Sequence, residues 1–279
     1  MPDVRGLVIS SPITVSVATN MITVTGGLNQ QELRSNLLFW DKLEWPDQSL
    51  FGFSIEPDIK FLMDSHILQR TRFEVHSGEF GKILHDAYIN GFRKLDDAEP
   101  GVWSLSRGEN SVSFDDDDLN ANRGVLVQLH QAIPVPDRDV PLEDILEFRE
   151  KRRAELLALR HYLEDIYERV ISAGDGALAL NKEIERLEGA IIDHFKASKG
   201  AGIRLRLSSL SAALNLDVGV IATVVIAGLV FNLPVVDALL VAAAGQAARM
   251  SINVGAELKR HKATPTPFQY ISSFHNELF

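Results

Sequence analysis

Cysteine is missing from this chain of 279 residues. Its absence excludes disulfide bonds, thiolate ligands for a metal ion and a cysteine nucleophile. A chain of this length does not depend on covalent cross-links, because it can bury a sizeable core in one large domain or two ordinary ones. We therefore expect a fold that is stabilised by packing, in a reducing compartment.

Positive charge is scarce as well. The sequence has 28 Lys and Arg residues against 38 Asp and Glu residues, which gives a net charge of −10. Such a chain repels nucleic-acid phosphates unless its basic residues cluster, and the basic cluster at 149–153 stands among acidic residues. Nucleic acid is therefore not an expected partner. The first residues lack the pattern of a secretory signal, so we expect a cytoplasmic protein or one at the inner face of the membrane.

Motifs of the common catalytic sites are also missing. The sequence has no Gly-rich phosphate loop, GxSxG elbow or HExxH helix. The acidic run at 115–118 is not an EF-hand loop, because Ala121 and Val127 stand where that loop needs Gly and Glu. The dipeptide His85-Asp86 leaves a divalent-metal hydrolase or nuclease as an alternative. We assign no catalytic residue, no metal ligand and no cofactor.

No apolar run is long enough for a clear membrane span, which needs about 20 residues. The segment "VGVIATVVIAGLVF" at 218–231 is closed by Asn232 and Pro234, and the next apolar piece, 235–248, contains Asp237. Basic residues on both sides resemble the flanks of a hairpin that dips into a bilayer. The neighbouring segments alternate like strands, which favours a buried unit instead. Burial in protein and insertion into lipid both remain open at this point.

The region 1–133 has the composition of a mixed α/β domain. Residues 6–25 are rich in Val, Ile and Thr and alternate like strands. The segment "LLFWDKLEWP" predicts a buried strand or a short buried helix, and residues 57–95 show helical spacing around a short strand. The segment "VWSLSRGENSVSF" alternates like a hairpin around Gly108.

Three prolines make residues 134–141 a stiff extended connector, because proline cannot continue a helix. Beyond it, residues 142–200 predict a long antiparallel helical hairpin, which turns at "SAGDG". Apolar residues recur along both helices at alternating spacings of three and four, the pattern of a two-helix seam. The residues of this predicted intramolecular seam are Leu156, Leu159, Leu163, Ile184, Leu187 and Ile191.

The region 201–279 predicts a strand-flanked apolar unit. The segments "IRLRLSS" and "MSINVGAEL" alternate like strands on either side of two apolar helices. A short terminal helix follows, with Tyr270, Ile271 and Phe274 on it. The predicted fold class is therefore α+β, with a mixed N-terminal domain, a helical hairpin and a strand-flanked apolar helix pair.

Three segments resemble an uncharacterised bacterial family, a domain of unknown function. They are "LLFWDKLEWP", "VPLEDILEFREKRRAELLALRHYLEDIYERV" and "PFQYISSFHNELF". The resemblance covers the whole chain in organisation and is strongest in the second segment. It implies a bacterial cytoplasmic protein with a mixed N-terminal half and a helical C-terminal half, and it carries no functional residue. Such families often occur beside defence genes, which is an association and not a mechanism.

These observations favour a non-enzymatic interaction or assembly protein of a bacterial complex. Apolar surface left exposed on the hairpin would bind a protein partner or a second copy of the chain. The candidate interaction residues are the six of the seam together with Val224, Gly228 and Phe231 of the apolar unit. The first alternative is a membrane-inserting effector that uses residues 218–248. The second is the divalent-metal hydrolase or nuclease.

Overall fold

The structure is a computed structural model. It describes the chain in the ranges 3–10, 13–16, 21–24, 27–48, 55–73, 80–106, 123–136, 138–197, 204–206, 251–253 and 266–279. The strands within these ranges are β1 (Gly6–Val8), β2 (Ile13–Ser16), β3 (Met21–Val24), β4 (Lys42–Glu44), β5 (Asp47–Gln48), β6 (Leu68–Gln69), β7 (Arg72–Phe73), β8 (Trp103–Leu105), β9 (Arg204–Arg206) and β10 (Ser251–Asn253). The helices are α1 (Gln30–Phe39), α2 (Pro57–Asp64), α3 (Phe80–Ala98), α4 (Gly124–Gln131), α5 (Leu142–Lys151), α6 (Arg153–Ile171), α7 (Gly176–Ala197) and α8 (Gln269–Glu277). The protein is thus mixed helix and strand, as the sequence predicts.

Four strands form a parallel sheet in the order β6-β4-β1-β8. A helix lies between each of these strands and the next along the chain, because parallel neighbours need a crossover connection. In chain order the strands run third, second, first and fourth across the sheet. The direction of strand addition therefore reverses between β1 and β8.

Helices cover both faces of this sheet. On one face, Leu7 of β1 and Leu43 of β4 share a core with α1 and α2. On the other face, Val8 and Trp103 pack with Phe92 of α3. Successive side chains along a strand point to opposite faces of the sheet, which is why Leu7 and Val8 of β1 belong to different cores.

Close packing between β1 and β8 requires glycine at position 6. Gly6 pairs with Trp103 across the two strands. A Cβ atom on Gly6 would lie 2.5 Å from Cε3 of Trp103, too close for any larger residue without a shift of the indole ring. The sequence predicts a hairpin for the segment that contains β8, and in the structure β8 pairs in parallel with β1. The second arm of the hairpin predicted around Gly108 lies outside the described residues.

The segment "LLFWDKLEWP" contains the end of a helix and the start of a strand. Asn29 caps α1, and its side-chain Oδ1 accepts hydrogen bonds from the backbone N–H groups of Gln31 at 2.9 Å and Glu32 at 3.1 Å. Trp40 has extended backbone and closes the helix. The apolar run is therefore shared between α1 and β4, where the sequence predicts one element or the other.

The helices after the connector pack onto the same core as the sheet. The predicted long helix begins after Pro141, and Arg152 divides it into α5 and α6. α6 and α7 follow each other through residues 172–175, and both belong to the apolar cluster that includes Leu7. Residues of the terminal helix α8 belong to this cluster too. The Tyr270 hydroxyl of α8 also donates to the Leu38 carbonyl at 2.7 Å. The division of the chain at the connector stays a prediction.

Arginines of α5 and α6 bind the end of α1. Nη2 of Arg160 donates to the Phe39 carbonyl at 2.6 Å, and Arg149 donates to the Leu37 carbonyl at 3.0 Å. The last carbonyls of a helix are unpaired and carry negative partial charge, so guanidinium groups stabilise this end. These contacts join the sheet unit to the later helices.

Asp41 lies at the centre of the same contact. Its carboxylate accepts hydrogen bonds from Nη1 of Arg160 at 2.8 Å, from Arg153 and from the backbone N–H of Arg5 at 2.9 Å. Burial by itself would raise the pKa of Asp41, but Arg160 and the other donors outweigh burial and lower it. We call Asp41, Arg149, Arg153 and Arg160 the arginine junction.

The strand pair β9 and β10 is antiparallel, with Leu205 opposite Ile252. These strands fall within the two segments that the sequence predicts to flank the apolar unit. Residues 207–250 between them lie outside the described residues, so the apolar helix pair stays a prediction.

Candidate functional site

The carboxyl ends of β1 and β8 lie side by side where the strand order reverses. The Ser106 N–H donates to the Val8 carbonyl at 2.9 Å, which extends the β1–β8 pairing beyond the last strand residue. In open parallel sheets, ligands bind in the crevice outside the carboxyl ends of the strands at this reversal. The polar groups at this edge are therefore the first candidates for contact with a ligand.

Serine hydroxyls distinguish this edge from the rest of the core. Ser10 follows β1 and is 7% exposed, and Ser106 follows β8 and is 2% exposed. Ser104 lies within β8 and is buried as well. The hydroxyl oxygens of all three have no hydrogen-bond partner within the described part of the chain. We call them the unpaired hydroxyls.

An unpaired buried hydroxyl is costly, because it has lost its water partners without replacement, at about 1–3 kcal/mol. Buried serines elsewhere in the protein avoid this cost. The Ser272 hydroxyl donates to the Gln269 carbonyl at 2.9 Å, and the Ser273 hydroxyl donates to Glu155 at 2.7 Å. The unpaired hydroxyls thus differ from these two serines, and a partner for them would come from outside the described chain.

The neighbouring strand ends in a buried carboxyl group. Glu44 closes β4, and its two oxygens accept hydrogen bonds from the Thr71 N–H at 2.7 Å and the Thr71 hydroxyl at 3.0 Å. Burial raises the pKa of Glu44, although the hydrogen bonds from Thr71 oppose the rise. Glu44 therefore connects the end of β4 to Thr71, which follows β6. Both carboxylate oxygens of Glu44 have hydrogen-bond partners.

A small cavity lies beside Ser10, between β1 and the first turns of α1. Its volume of about 10 Å³ has room for one water-sized group. The residues that line it are Ile9, Ser10, Leu28, Asn29, Glu32, Leu33 and Asn36. This cavity has apolar walls and a few polar lining residues, and none of its lining residues belongs to β8.

The opposite, amino-terminal edge of the sheet has a different character. Lys42 pairs with Glu99 at 2.7 Å, Arg5 pairs with Glu164, and Asp41 belongs to the arginine junction. The charged groups named here all have partners within the protein. This edge is therefore structural, and the carboxyl edge is the candidate site.

The structure brings the six predicted seam residues together in the core. Each is buried, with exposure between 0% and 2%. Their side chains pack inside the protein and are not available to a partner. Val224, Gly228 and Phe231 lie outside the described residues, and of His85 and Asp86 only the backbone, within α3, is described.

The sequence pattern did not single out Ser10 and Ser106. Each follows a short apolar strand, in "GLVIS" and "VWSLS". A serine after an apolar run is common, and only the parallel pairing of β1 with β8 places these two at one edge. A search for apolar strands that end in serine could have found both, but not their proximity.

Comparison with known proteins places the chain in a family. The model of a family of unknown function, DUF6236, matches residues 9–279. The protein belongs to DUF6236. This match confirms the resemblance to an uncharacterised family, and it includes Ser10, Ser106 and the helices α5 to α8. No curated protein and no solved structure matches this DUF6236 chain.

Two further observations concern the membrane-inserting and divalent-metal alternatives. None of the helices in the described ranges is long and apolar enough to cross a membrane. The described residues also contain no group of three or more His, Asp or Glu residues that could hold a metal ion.

Replacing an unpaired hydroxyl should stabilise the ligand-free protein. We expect Ser106→Ala to raise the free energy of unfolding by about 1 kcal/mol, because it removes a buried polar group that lacks a partner. The matched control is Ser273→Ala, which should lower it by about 0.5–1.5 kcal/mol, because it removes the hydrogen bond to Oε2 of Glu155, whose Oε1 still accepts from Arg152. Urea unfolding measures both. A loss of stability in Ser106→Ala as large as in the control would contradict the assignment.

Proposed function

We propose that this DUF6236 protein binds a small polar ligand in the crevice at the carboxyl ends of β1 and β8. The observation that supports the proposal is the pair of unpaired hydroxyls at Ser10 and Ser106. A ligand that hydrogen-bonds to them would relieve the cost of their burial. That cost otherwise has no compensation among the described residues.

The two serines follow strands that pair with each other. Adjacent strands lie about 4.8 Å apart. Ser106 follows directly on the β8 residue that pairs with Val8, and Ser10 lies two residues beyond Val8 on β1. A molecule with two or three polar atoms could therefore contact both hydroxyls while its apolar part packs on Ile9.

A binding role is favoured over a catalytic one. Nucleophilic catalysis by serine needs a base within hydrogen-bond reach, and neither crevice serine has one in the described ranges. Ser272 does contact Nε2 of His194, at 3.2 Å. That pair joins α8 to α7, away from the crevice, and the Ser272 hydroxyl donates to a backbone carbonyl.

The ligand proposal predicts that the serines control affinity. A panel of polar metabolites is screened by thermal shift, and each hit is titrated calorimetrically against the wild type and the double variant Ser10→Ala/Ser106→Ala. Loss of two hydrogen bonds of about 0.5–1.5 kcal/mol each should weaken binding by about five- to 150-fold. The control Ser273→Ala should keep the wild-type affinity. Hits that bind the double variant as well as the wild type would count against this site.

Assembly with a second copy of the chain is the second candidate function. Ile171 at the end of α6 is 45% exposed, and Leu178 in the first turn of α7 is 50% exposed. They are two of the three large apolar side chains that are exposed in the described ranges. Both flank residues 172–175, which connect the helices. Exposed apolar surface rimmed by charged residues marks interaction sites, and here the rim includes Lys182 and Asp175.

The proposed contact surface is thus the exposed pair Ile171 and Leu178, and not the buried seam residues of α6 and α7. The predicted hairpin would bury its seam internally and present its tip, the connection between α6 and α7, to the second copy. Charges of both signs at the tip suit contact between identical surfaces, because Lys182 of one copy can face Asp175 of the other.

The assembly proposal predicts a dimer that depends on Leu178. We expect light scattering after size exclusion to give a dimer mass for the wild type and a monomer mass for Leu178→Glu, because the charge cannot be buried at the contact. Ala158→Glu, on an exposed position of α6, is the matched control and should remain dimeric. A monomeric wild type at all concentrations would refute the proposal.

The remaining hypotheses stay predictions. Insertion of residues 218–248 into a membrane concerns residues outside the described ranges, and the hydrolase or nuclease alternative depends on the side chains of His85 and Asp86. A cytoplasmic location, a protein partner and a role in defence likewise stay predictions.

A further inference from the structure

We infer that the arginine junction is a pH-sensitive contact, which opens when His130 takes up a proton in mildly acidic solution. His130 lies near the end of α4 and is 4% exposed. Its ring packs against the two residues that precede Asp41, with its centroid 4.8 Å from that of Trp40 and 5.6 Å from that of Phe39. The imidazole is therefore buried at the helix end that the arginines of α5 and α6 bind.

The buried imidazole is neutral at pH 7. Its Nδ1 lies 2.8 Å from the Leu126 carbonyl oxygen, which can only accept, so Nδ1 carries the hydrogen and Nε2 is the atom that a second proton would occupy. No carboxylate pairs with this ring in the described ranges. Burial, and after it the positive charges of Arg160 and Arg5, lower the pKa of His130 to about 4, although the bond to Leu126 opposes the shift.

Positive charge predominates around His130. The helix α6 packs against α4 and carries Arg160, while Arg5 stands just before β1. The junction and its immediate partners contain four guanidinium groups and two carboxylates, namely those of Arg5, Arg149, Arg153, Arg160, Asp41 and Glu164. The guanidinium groups thus already outnumber the carboxylates before His130 is protonated.

The other elements around His130 do not compensate this charge. Neither β8, which also contacts α4, nor α4 itself contains another titratable residue. From α8, Tyr270 contacts Phe39, and burial raises the pKa of its hydroxyl, which is therefore neutral. A proton on His130 adds a further cation, and the repulsion acts on Arg160, whose bonds to the Phe39 carbonyl and to Asp41 hold α6 to the end of α1.

Acid therefore favours the opened junction. An exposed imidazole has a pKa of 6.5, whereas the buried His130 takes up its proton only at about pH 4. Between these values the opened junction binds a proton that the closed junction does not bind. From about pH 7.5 to about pH 5, the equilibrium constant for opening should rise roughly 25-fold.

The absence of cysteine allows a test on the full chain, because one introduced thiol reports one buried position. Leu159→Cys places the thiol on α6 next to Arg160, and Leu62→Cys places it on α2, and both positions are 0% exposed. Labelling by dithiodipyridine is followed at the two pH values, and each rate is divided by that of the urea-unfolded variant at the same pH. The corrected rate of Leu159→Cys should rise roughly 25-fold in acid, and that of Leu62→Cys should rise far less.

Histidine variants assign the effect to one ring. Combined with Leu159→Cys, both His130→Gln and His130→Leu should remove the rise, and the use of two variants covers the case in which one of them does not fold. The matched control is His275→Gln. Burial also lowers the pKa of His275 to about 4, but its Nε2 is bound to the Pro134 carbonyl and no arginine contributes to the shift. In this control the rise should persist.

Three outcomes would overturn the inference. An equal rise at the two thiols would show that acid unfolds the whole protein and not the junction. A rise that survives in the His130 variants would assign it to another group. A corrected rate of Leu159→Cys that is the same at both pH values would show that acid does not open the junction.

Discussion

The contact between the Asp41 carboxylate and the guanidinium groups of Arg153 and Arg160 is the constraint on which the rest of the structure depends. Asp41 stands between α1 and β4, where the carbonyls of a helix end meet the amino-terminal edge of the sheet. A carboxylate buried there needs cations, and α6 supplies them. Because those arginines belong to α6, and residues of both parts share one apolar cluster, we expect the sheet and the later helices to behave as one packed body.

This arrangement gives the two edges of the sheet different roles. The amino-terminal edge is closed by the arginine junction and by ion pairs such as Lys42 with Glu99. The carboxyl edge retains the unpaired hydroxyls of Ser10 and Ser106, which lower stability without a visible structural benefit. Native proteins tolerate such groups mainly where function requires them. The carboxyl edge is therefore where we propose that a ligand binds.

Local patterns in the sequence predicted the elements whose contacts are close along the chain. The spacing of Leu156, Leu159 and Leu163 correctly indicated a buried stripe, because helical periodicity is a local property. The order of the parallel strands depends on pairing between distant segments, such as β1 with β8, so no short pattern contains it. Only that pairing places Ser10 and Ser106 at the same edge of the sheet. Likewise, the basic cluster at 149–153 was interpreted as charge cancelled by neighbouring acids, whereas Arg149 and Arg153 bind the α1–β4 junction.

The most direct test of the single packed body is a urea titration followed by two signals at once. All three tryptophans, Trp40, Trp45 and Trp103, lie in the part of the chain from α1 to β8, so their fluorescence follows that part and its contact with α5, whereas circular dichroism at 222 nm also reports α5 to α8. Coincident transitions are expected for the wild type. In Asp41→Asn, both should shift together to lower urea, by about 3–5 kcal/mol of unfolding free energy. Loss of fluorescence well before the helical signal in the wild type would show two independent units and contradict the account.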